Sequence, residues 1–211
     1  MNERETAREY WNERSVNYDA MIGTSYGEAY RKTAEKMLPY LAPDARVLDF
    51  ACGTGLVTLA IAQQVGSVCA IDISDEMLRR LREKLRAQGV ENVTAAQLDL
   101  FDPSLAEGSF DAVLACNVLH YLSDRAAALA RIRALLRPNG VFLSVTDCLG
   151  EGFTPEREKK RQQVAEGKLP YVAYDTMHGL VQEVAAAGFE ILESENLFPA
   201  PPNLFLAAEK R

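Results

Sequence analysis

The chain has 211 residues, 48% of them hydrophobic and 25% charged, with a formal net charge of −7. That length suits one α/β domain with a substantial core, and the acidic balance argues against DNA or RNA as a partner, because phosphates call for a basic footprint. No apolar run reaches the roughly 20 residues of a membrane helix, the start Met1-Asn2-Glu3-Arg4-Glu5 is polar without a signal-peptide core behind it, and Cys52, Cys69, Cys116 and Cys148 form no C-x-x-C pair, so a cytoplasmic chain with buried thiols and no membrane partner is expected.

Residues 1–44 read as a helical cap, with Tyr10, Trp11, Tyr18, Tyr26 and Tyr30 scattered through it and Pro39 and Pro43 ending the pattern. From Arg46 the chain alternates strand and helix. Short continuous apolar runs, the mark of parallel strands buried on both faces, predict strands at about 46–50, 67–73, 93–98, 110–117 and 140–146. The first strand runs into Asp49-Phe50-Ala51-Cys52-Gly53-Thr54-Gly55, and a helix starts at Leu56. A second helix is capped by Ser74, carries Asp75 and Glu76 in its first turn, buries Met77, Leu78, Leu81 and Leu85, and ends at Gly89. Another begins near Ser123 or Asp124, buries Leu129, Ile132 and Leu136, and stops at Pro138-Asn139-Gly140.

After 146 the rhythm breaks. Residues 149–173 are polar, with Glu156-Arg157-Glu158-Lys159-Lys160-Arg161 among them, and read as a solvated helix or a lid insertion. A helix at about 175–187 ends at Gly188. Strands at about 189–197 and 203–209 follow, joined by Pro199 to Asn203, a connection short enough to make them an antiparallel hairpin.

The strand, glycine turn and helix around Asp49–Gly55 carry the strongest signal. Glycine lets the backbone turn tightly and approach a ligand, and the turn opens onto a helix N-terminus at the mouth of a parallel sheet. This is a nucleotide-cofactor signature. Asp72, 17 residues past Gly55 at a strand end, is placed to accept hydrogen bonds from both hydroxyls of a ribose.

Further landmarks follow in order: Ala70-Ile71-Asp72-Ile73-Ser74, Asp99, the run Gly108-Ser109-Phe110-Asp111 to Val118-Leu119-His120-Tyr121, Leu135-Leu136-Arg137-Pro138-Asn139-Gly140, and the terminal hairpin. With these, the chain from about Tyr10 onward resembles class I S-adenosylmethionine (SAM)-dependent methyltransferases, in particular their small-molecule, ubiquinone-biosynthesis-like branch. The resemblance implies a Rossmann-like three-layer α/β/α sandwich at 45–211, under the cap of 1–44. Its seven-stranded, mostly parallel sheet has the order 3-2-1-4-5-7-6, with strand 7 antiparallel. Ala51 departs from the family, standing where a glycine is usual. Alanine is tolerated wherever φ stays negative.

The implied activity is transfer of a methyl group from SAM to an oxygen or nitrogen of a small molecule, leaving S-adenosylhomocysteine (SAH). The backbone of Ala51, Gly53 and Gly55 cradles the methionine end and Asp49 accepts from its amino group, directly or through water. Asp99 accepts from the adenine amine, with Ile73, Met77, Leu98 and Leu100 sandwiching the ring. Asn117 lies beside the methionine, and Tyr18 of the cap approaches it. Displacement at a sulfonium needs alignment and desolvation more than a base. If a base is used, His120 is the first candidate, because its unperturbed pKa suits proton removal near neutrality. Tyr121 is a candidate substrate contact. Tyr10, Trp11, Tyr26, Tyr171 and Tyr174 are candidates to line an apolar acceptor pocket.

Competing readings are weaker. A dinucleotide fingerprint would be G-x-G-x-x-G, but the run reads Gly53-Thr54-Gly55-Leu56-Val57-Thr58. A base methyltransferase would carry an Asn/Asp-Pro-Pro-aromatic run where Asn117-Val118-Leu119-His120 stands. Asp147 and Asn117 lie near strand ends without an evident third ligand, so no metal is expected. A non-catalytic SAM-binding domain stays open, as do a monomer and a homodimer paired along Asn203-Leu204-Phe205-Leu206.

Overall fold

Seven strands form one sheet in the order β3-β2-β1-β4-β5-β7-β6 in the computed structural model. It describes residues 3–169 and 171–211; Met1 and Asn2 of the expected cap, and Pro170 within 149–173, lie outside the described residues. The strands are β1 (Arg46–Phe50), β2 (Ser67–Asp72), β3 (Val93–Gln97), β4 (Phe110–Cys116), β5 (Leu136–Asp147), β6 (Phe189–Pro199) and β7 (Pro202–Lys210). β3, β2, β1, β4 and β5 pair in parallel, and β7 is antiparallel to both β5 and β6. This is the expected order.

β1 is buried along Val47–Phe50, and its alternate side chains serve opposite faces: Leu48 joins one apolar cluster, Val47 the other. Helices α6 (Arg125–Leu135) and α8 (Met177–Ala186) cover the first face through Leu129, Ile132, Leu180 and Val184. Helices α3 (Gly27–Met37), α4 (Leu56–Ala62) and α5 (Asp75–Gln88) cover the second through Met37, Ile61, Leu78 and Leu81. The α5 caps are those the sequence predicts: Ser74 Oγ accepts from the Met77 amide, and Gly89 ends the helix with φ +64°.

α6 stops at Leu135, and β5 begins at Leu136, four residues before the predicted start. Pro138 explains this, since the residue before a proline is pushed out of the helical region and the chain turns extended one step earlier. Leu136 then pairs with Phe110 across a bulge, while Gly140 falls inside the strand.

Before β1, α1 (Glu3–Arg14), α2 (Tyr18–Ser25) and α3 wrap the sheet. α1 is tied to α5: Ser74 Oγ donates to Asn12 Oδ1 at 2.6 Å, and Asn12 Nδ2 donates to Asp75 at 3.0 Å. α2 is tied through Asp19, which accepts from Lys84 at 2.8 Å and from the Thr54 hydroxyl. α3 reaches the terminal hairpin, where Lys36 and Tyr40 both donate to Glu193 at 2.7 Å. The polar run of 149–173 contains α7 (Pro155–Ala165), capped by Thr154. Of its charged run, Lys160 is turned inward and is only 7% exposed.

Ala51 overturns its expectation. Its φ is +56°, in the left-handed region, because the turn must deliver Cys52 N–H to the carbonyl of Ile71 at 3.0 Å. An alanine there costs about 1–2 kcal/mol relative to glycine in the folded state, partly offset by the roughly 0.5–1 kcal/mol of extra unfolded-state entropy a glycine brings. Ala51→Gly is therefore expected to stabilise the protein by up to about 1 kcal/mol, read as a rightward shift of the urea midpoint; a destabilised variant would refute a strained alanine.

Candidate active site

Because β1, β2, β3, β4 and β5 run the same way, the loops after them gather at one edge of the sheet, where a cavity of about 390 Å³ opens. Its floor is the turn after β1, with Ala51 and Gly53. Its far wall is the apolar set Ile73, Met77, Leu98 and Leu100, with Asp99 between the last two. Asn117 and Tyr121 follow β4, and Tyr18 closes from α2. Glu3, Arg4, Ala7 and Trp11 of α1 also line it. Arg4 pairs with Asp99 at 2.5 Å, joining α1 to the loop after β3.

Asp72 ends β2 at the cavity wall. One of its carboxylate oxygens accepts from Gly53 N–H and the other from Ser74 N–H, each at 2.8 Å, so it fastens the two loops together. Burial pushes its pKa up to about 6, against the lowering by these amide donors.

Two predicted cofactor residues do not line this cavity. Gly55 is buried with φ +81°, a left-handed conformation that calls for glycine, and a β carbon there would also lie 2.3 Å from Leu81 Cδ1. Asp49 faces a small void of about 30 Å³ behind the loop, shared with Tyr18, Tyr30 and Gly53. Its carboxylate accepts from the Thr58 hydroxyl, and burial pushes its pKa up to about 7. Neither Asp49 nor Asp72 has an ion-pair partner among the described residues.

A second cavity of about 90 Å³ adjoins the first, and Trp11, Tyr18, Asn117 and Tyr121 line both. His120 faces this second cavity alone. It is 1% exposed, and neither ring nitrogen has a hydrogen-bond partner among the described residues. Burial, with Lys160 and Arg125 nearby, holds its pKa well below the usual histidine range. The imidazole is therefore uncharged at neutral pH and a weaker base than the unperturbed value suggests. Of the aromatics expected in an acceptor pocket, Tyr10, Trp11 and Tyr26 line this cavity, whereas Tyr171 and Tyr174 do not. Tyr174 lies at the surface under the Arg157 guanidinium.

The sequence reading misses Lys160, Tyr30 and Asn203. Lys160 donates to the Tyr121 hydroxyl and lies 3.4 Å from Glu156. Asn203 Nδ2 donates to Asn117 Oδ1 at 3.0 Å and to Asp147 Oδ1 at 2.8 Å, so Asn117 and Asp147 do converge, through an amide. Asn117 holds φ +53°, a conformation asparagine tolerates. Among the described residues no three His, Cys, Asp or Glu side chains are grouped to hold a metal ion.

Asp49 sets a pH signature. Its folded pKa lies near 7, above the ordinary carboxylate value, so the folded state holds a proton that the unfolded chain has lost. That contribution is present at low pH and vanishes as pH rises through about 7. Lowering pH from 8 to 6.5 should thus stabilise the protein by about 1 kcal/mol through this group. Urea unfolding should show the gain shrinking in Asp49→Asn; an equal gain in that variant would refute it.

Residues 47–140 match the profile of a methyltransferase domain family. A putative methyltransferase of Bacillus subtilis is 29% identical over 130 residues, covering 60% of this chain and 51% of that protein. A ubiquinone biosynthesis O-methyltransferase of Xanthomonas campestris is 36% identical over 112 residues, covering 48% of this chain and 43% of the other. The chain thus spans about half the length of the curated relatives it matches. Among solved structures, phospholethanolamine N-methyltransferase 2 of Haemonchus contortus, in complex with phosphomonomethylethanolamine and SAH, superposes with a TM-score of 0.80 at 19% identity, covering 100% of this chain and 61% of that one. At that identity the likeness speaks for the fold.

Proposed function

We propose, for a chain that has the class I SAM-dependent methyltransferase fold and carries its methyltransferase domain at residues 47–140, that the protein transfers the methyl group of SAM to an oxygen or nitrogen of a small molecule. The observation that carries this reading is the 390 Å³ cavity bounded by Gly53, Asp72 and Asp99 at the strand ends, with a second cavity adjoining it across Trp11, Tyr18, Asn117 and Tyr121. The residues fit the group. Asp49 and Asp72 are buried carboxylates without a cation, matching an ammonium and a hydroxylated ribose. Ile73, Met77, Leu98 and Leu100 form an apolar slot of the kind an adenine ring fills, and Gly53 has no atom within 4 Å of the place a β carbon would take.

SAM brings an electrophilic methyl on a sulfonium that leaves as a neutral thioether. The chain's own task is to bind, align and exclude water. In this reading Asp72 takes the ribose hydroxyls, Asp49 the methionine ammonium through water in the small void behind the turn, and Asp99 the adenine edge. The cap of residues 1–44 roofs the cofactor through α1. The rings of Trp11, Tyr18 and Tyr121 keep the passage between the cavities dry, and His120 orients the acceptor as a neutral hydrogen-bonding group. The four unpaired cysteines suit a reducing, cytoplasmic setting. No described helix is long and apolar enough to cross a membrane.

Calorimetric titration with SAM, SAH and NAD in parallel tests the reading: both adenosyl ligands should bind and NAD should not, and NAD binding alone would overturn it. Asp72→Ala should weaken SAH at least tenfold, about 1.4 kcal/mol or more, with the fold retained by circular dichroism; unchanged affinity would remove the ribose assignment. His120→Ala should leave SAH affinity within about twofold and lower turnover, as expected for a group at the acceptor alone. Unchanged turnover would make His120 a packing residue.

A further inference from the structure

The charges and rings around the second cavity point to the chemistry of what it holds. Three cations border it, and each is already engaged. Lys160 donates to Tyr121 and lies 3.4 Å from Glu156. Lys159 lies 3.7 Å from the same carboxylate, with most of its side chain in solvent. Arg14 stacks its guanidinium 4.0 Å from the centre of the Tyr10 ring. Asp147 is different. It ends β5 at the cavity wall, accepts 2.8 Å from the neutral Asn203 amide, and has no ion-pair partner among the described residues. Burial pushes its carboxyl above the ordinary range, against the lowering by the Lys160 charge, which acts without a direct ion pair, and by the Asn203 hydrogen bond.

The remaining wall is mostly aromatic. Trp11 sits at its centre, with ring centroids 5.0 Å from Tyr10, 5.2 Å from Tyr121 and 6.4 Å from Tyr18, all edge to face. Tyr26 and Phe198 add a second pair, 5.4 Å apart. Aromatic rings around an unpaired carboxylate form the environment that recognises alkylammonium groups. The volume, about 90 Å³, is on the order of three water molecules.

We propose that the methyl acceptor is a small amine, held as its ammonium by Asp147 and the rings of Trp11, Tyr18 and Tyr121. The inference rests on the methyl-transfer reading above and names its acceptor. The bound ammonium gives a proton to the Asp147 carboxylate. The freed lone pair forms the N–C bond to the methyl carbon while the C–S pair returns to sulfur, leaving SAH and a methylated ammonium. The Asp147 proton then passes to solvent and its carboxylate pairs with the product cation. An amine fits this site better than an alcohol because the methylated amine keeps a positive charge that the carboxylate and rings stabilise, whereas an ether would leave Asp147 without a partner.

The test uses Trp11, the only tryptophan in the chain, as a fluorescent reporter on the wall shared by both cavities. SAH is first titrated by calorimetry; failure of SAH to bind would sink the methyl-transfer reading, separately from this one. The SAH-saturated protein is then titrated, at constant ionic strength, with ethanolamine, ethylene glycol and glycolate, which share a size and differ in charge. Ethanolamine and its N,N-dimethyl derivative should give saturable changes, with the diol and the acid at least tenfold weaker. Asp147→Asn, which keeps the shape and an acceptor for Asn203, should weaken ethanolamine at least tenfold and leave SAH within twofold. Glycolate or ethylene glycol binding as well as ethanolamine, no saturable amine binding, or an unaffected Asp147→Asn would overturn the proposal.

Discussion

The shared direction of β1, β2, β3, β4 and β5 is the constraint from which both cavities follow. A parallel strand buried on both faces can be built only with its neighbours running alongside and its connections crossing behind. Every loop that leaves a carboxyl end then appears at the same edge. The order reverses between β1 and β4, so the loop after β1 turns one way and the loop after β4 the other, and the gap between them is the larger cavity. Asp72 keeps that gap in shape, because its two oxygens hold the amides of Gly53 and Ser74, one from each adjoining loop. Gly55 fixes the other side by letting Leu81 close to within contact of the turn.

The second theme is charge left without a partner. Asp49, Asp72 and Asp147 all stand in or beside cavities with hydrogen bonds from neutral donors and, among the described residues, no direct ion pair. Burying a carboxylate in that way costs free energy that the fold does not recover by itself. Arg125 shows the contrast: it is tied to Asp175 and Glu183 between α6 and α8, a compensated cluster with only structural work to do. Asp72 and Asp147 stand on the two cavities and Asp49 on the small void behind the turn, as expected where ligands complete the electrostatics.

Much of this was legible in the sequence. The strands announce themselves as apolar runs, and the turn at Asp49–Gly55 and the acid at Asp72 stand out because glycine and a strand-end carboxylate have few other uses there. The rest depends on contacts that local pattern does not encode. Lys160 sits in a run of six charged residues with no signal separating it from Lys159; its burial is decided by how α7 docks beside Tyr121. Gly55 reads as a ligand residue, yet its requirement comes from its left-handed backbone and from Leu81, 26 positions away. Ala51 hides its backbone conformation because alanine is ordinarily right-handed or extended. The early end of α6 was readable from Pro138, whose effect reaches the residues before it.

The helices ahead of β1 close on parts of the chain far along from them. Lys36 meets Glu193, 157 residues later, and Tyr10 meets Gln163, 153 later. Such long-range closures carry a large loop entropy and form late relative to local helices. The segment that roofs the larger cavity therefore cannot lock in place until the hairpin that anchors Lys36 and Tyr40 has formed. The roof is therefore fastened after the floor: the glycine turn and its acids are in place as soon as the first strands pair, and the cap closes over them once β6 is laid against the sheet.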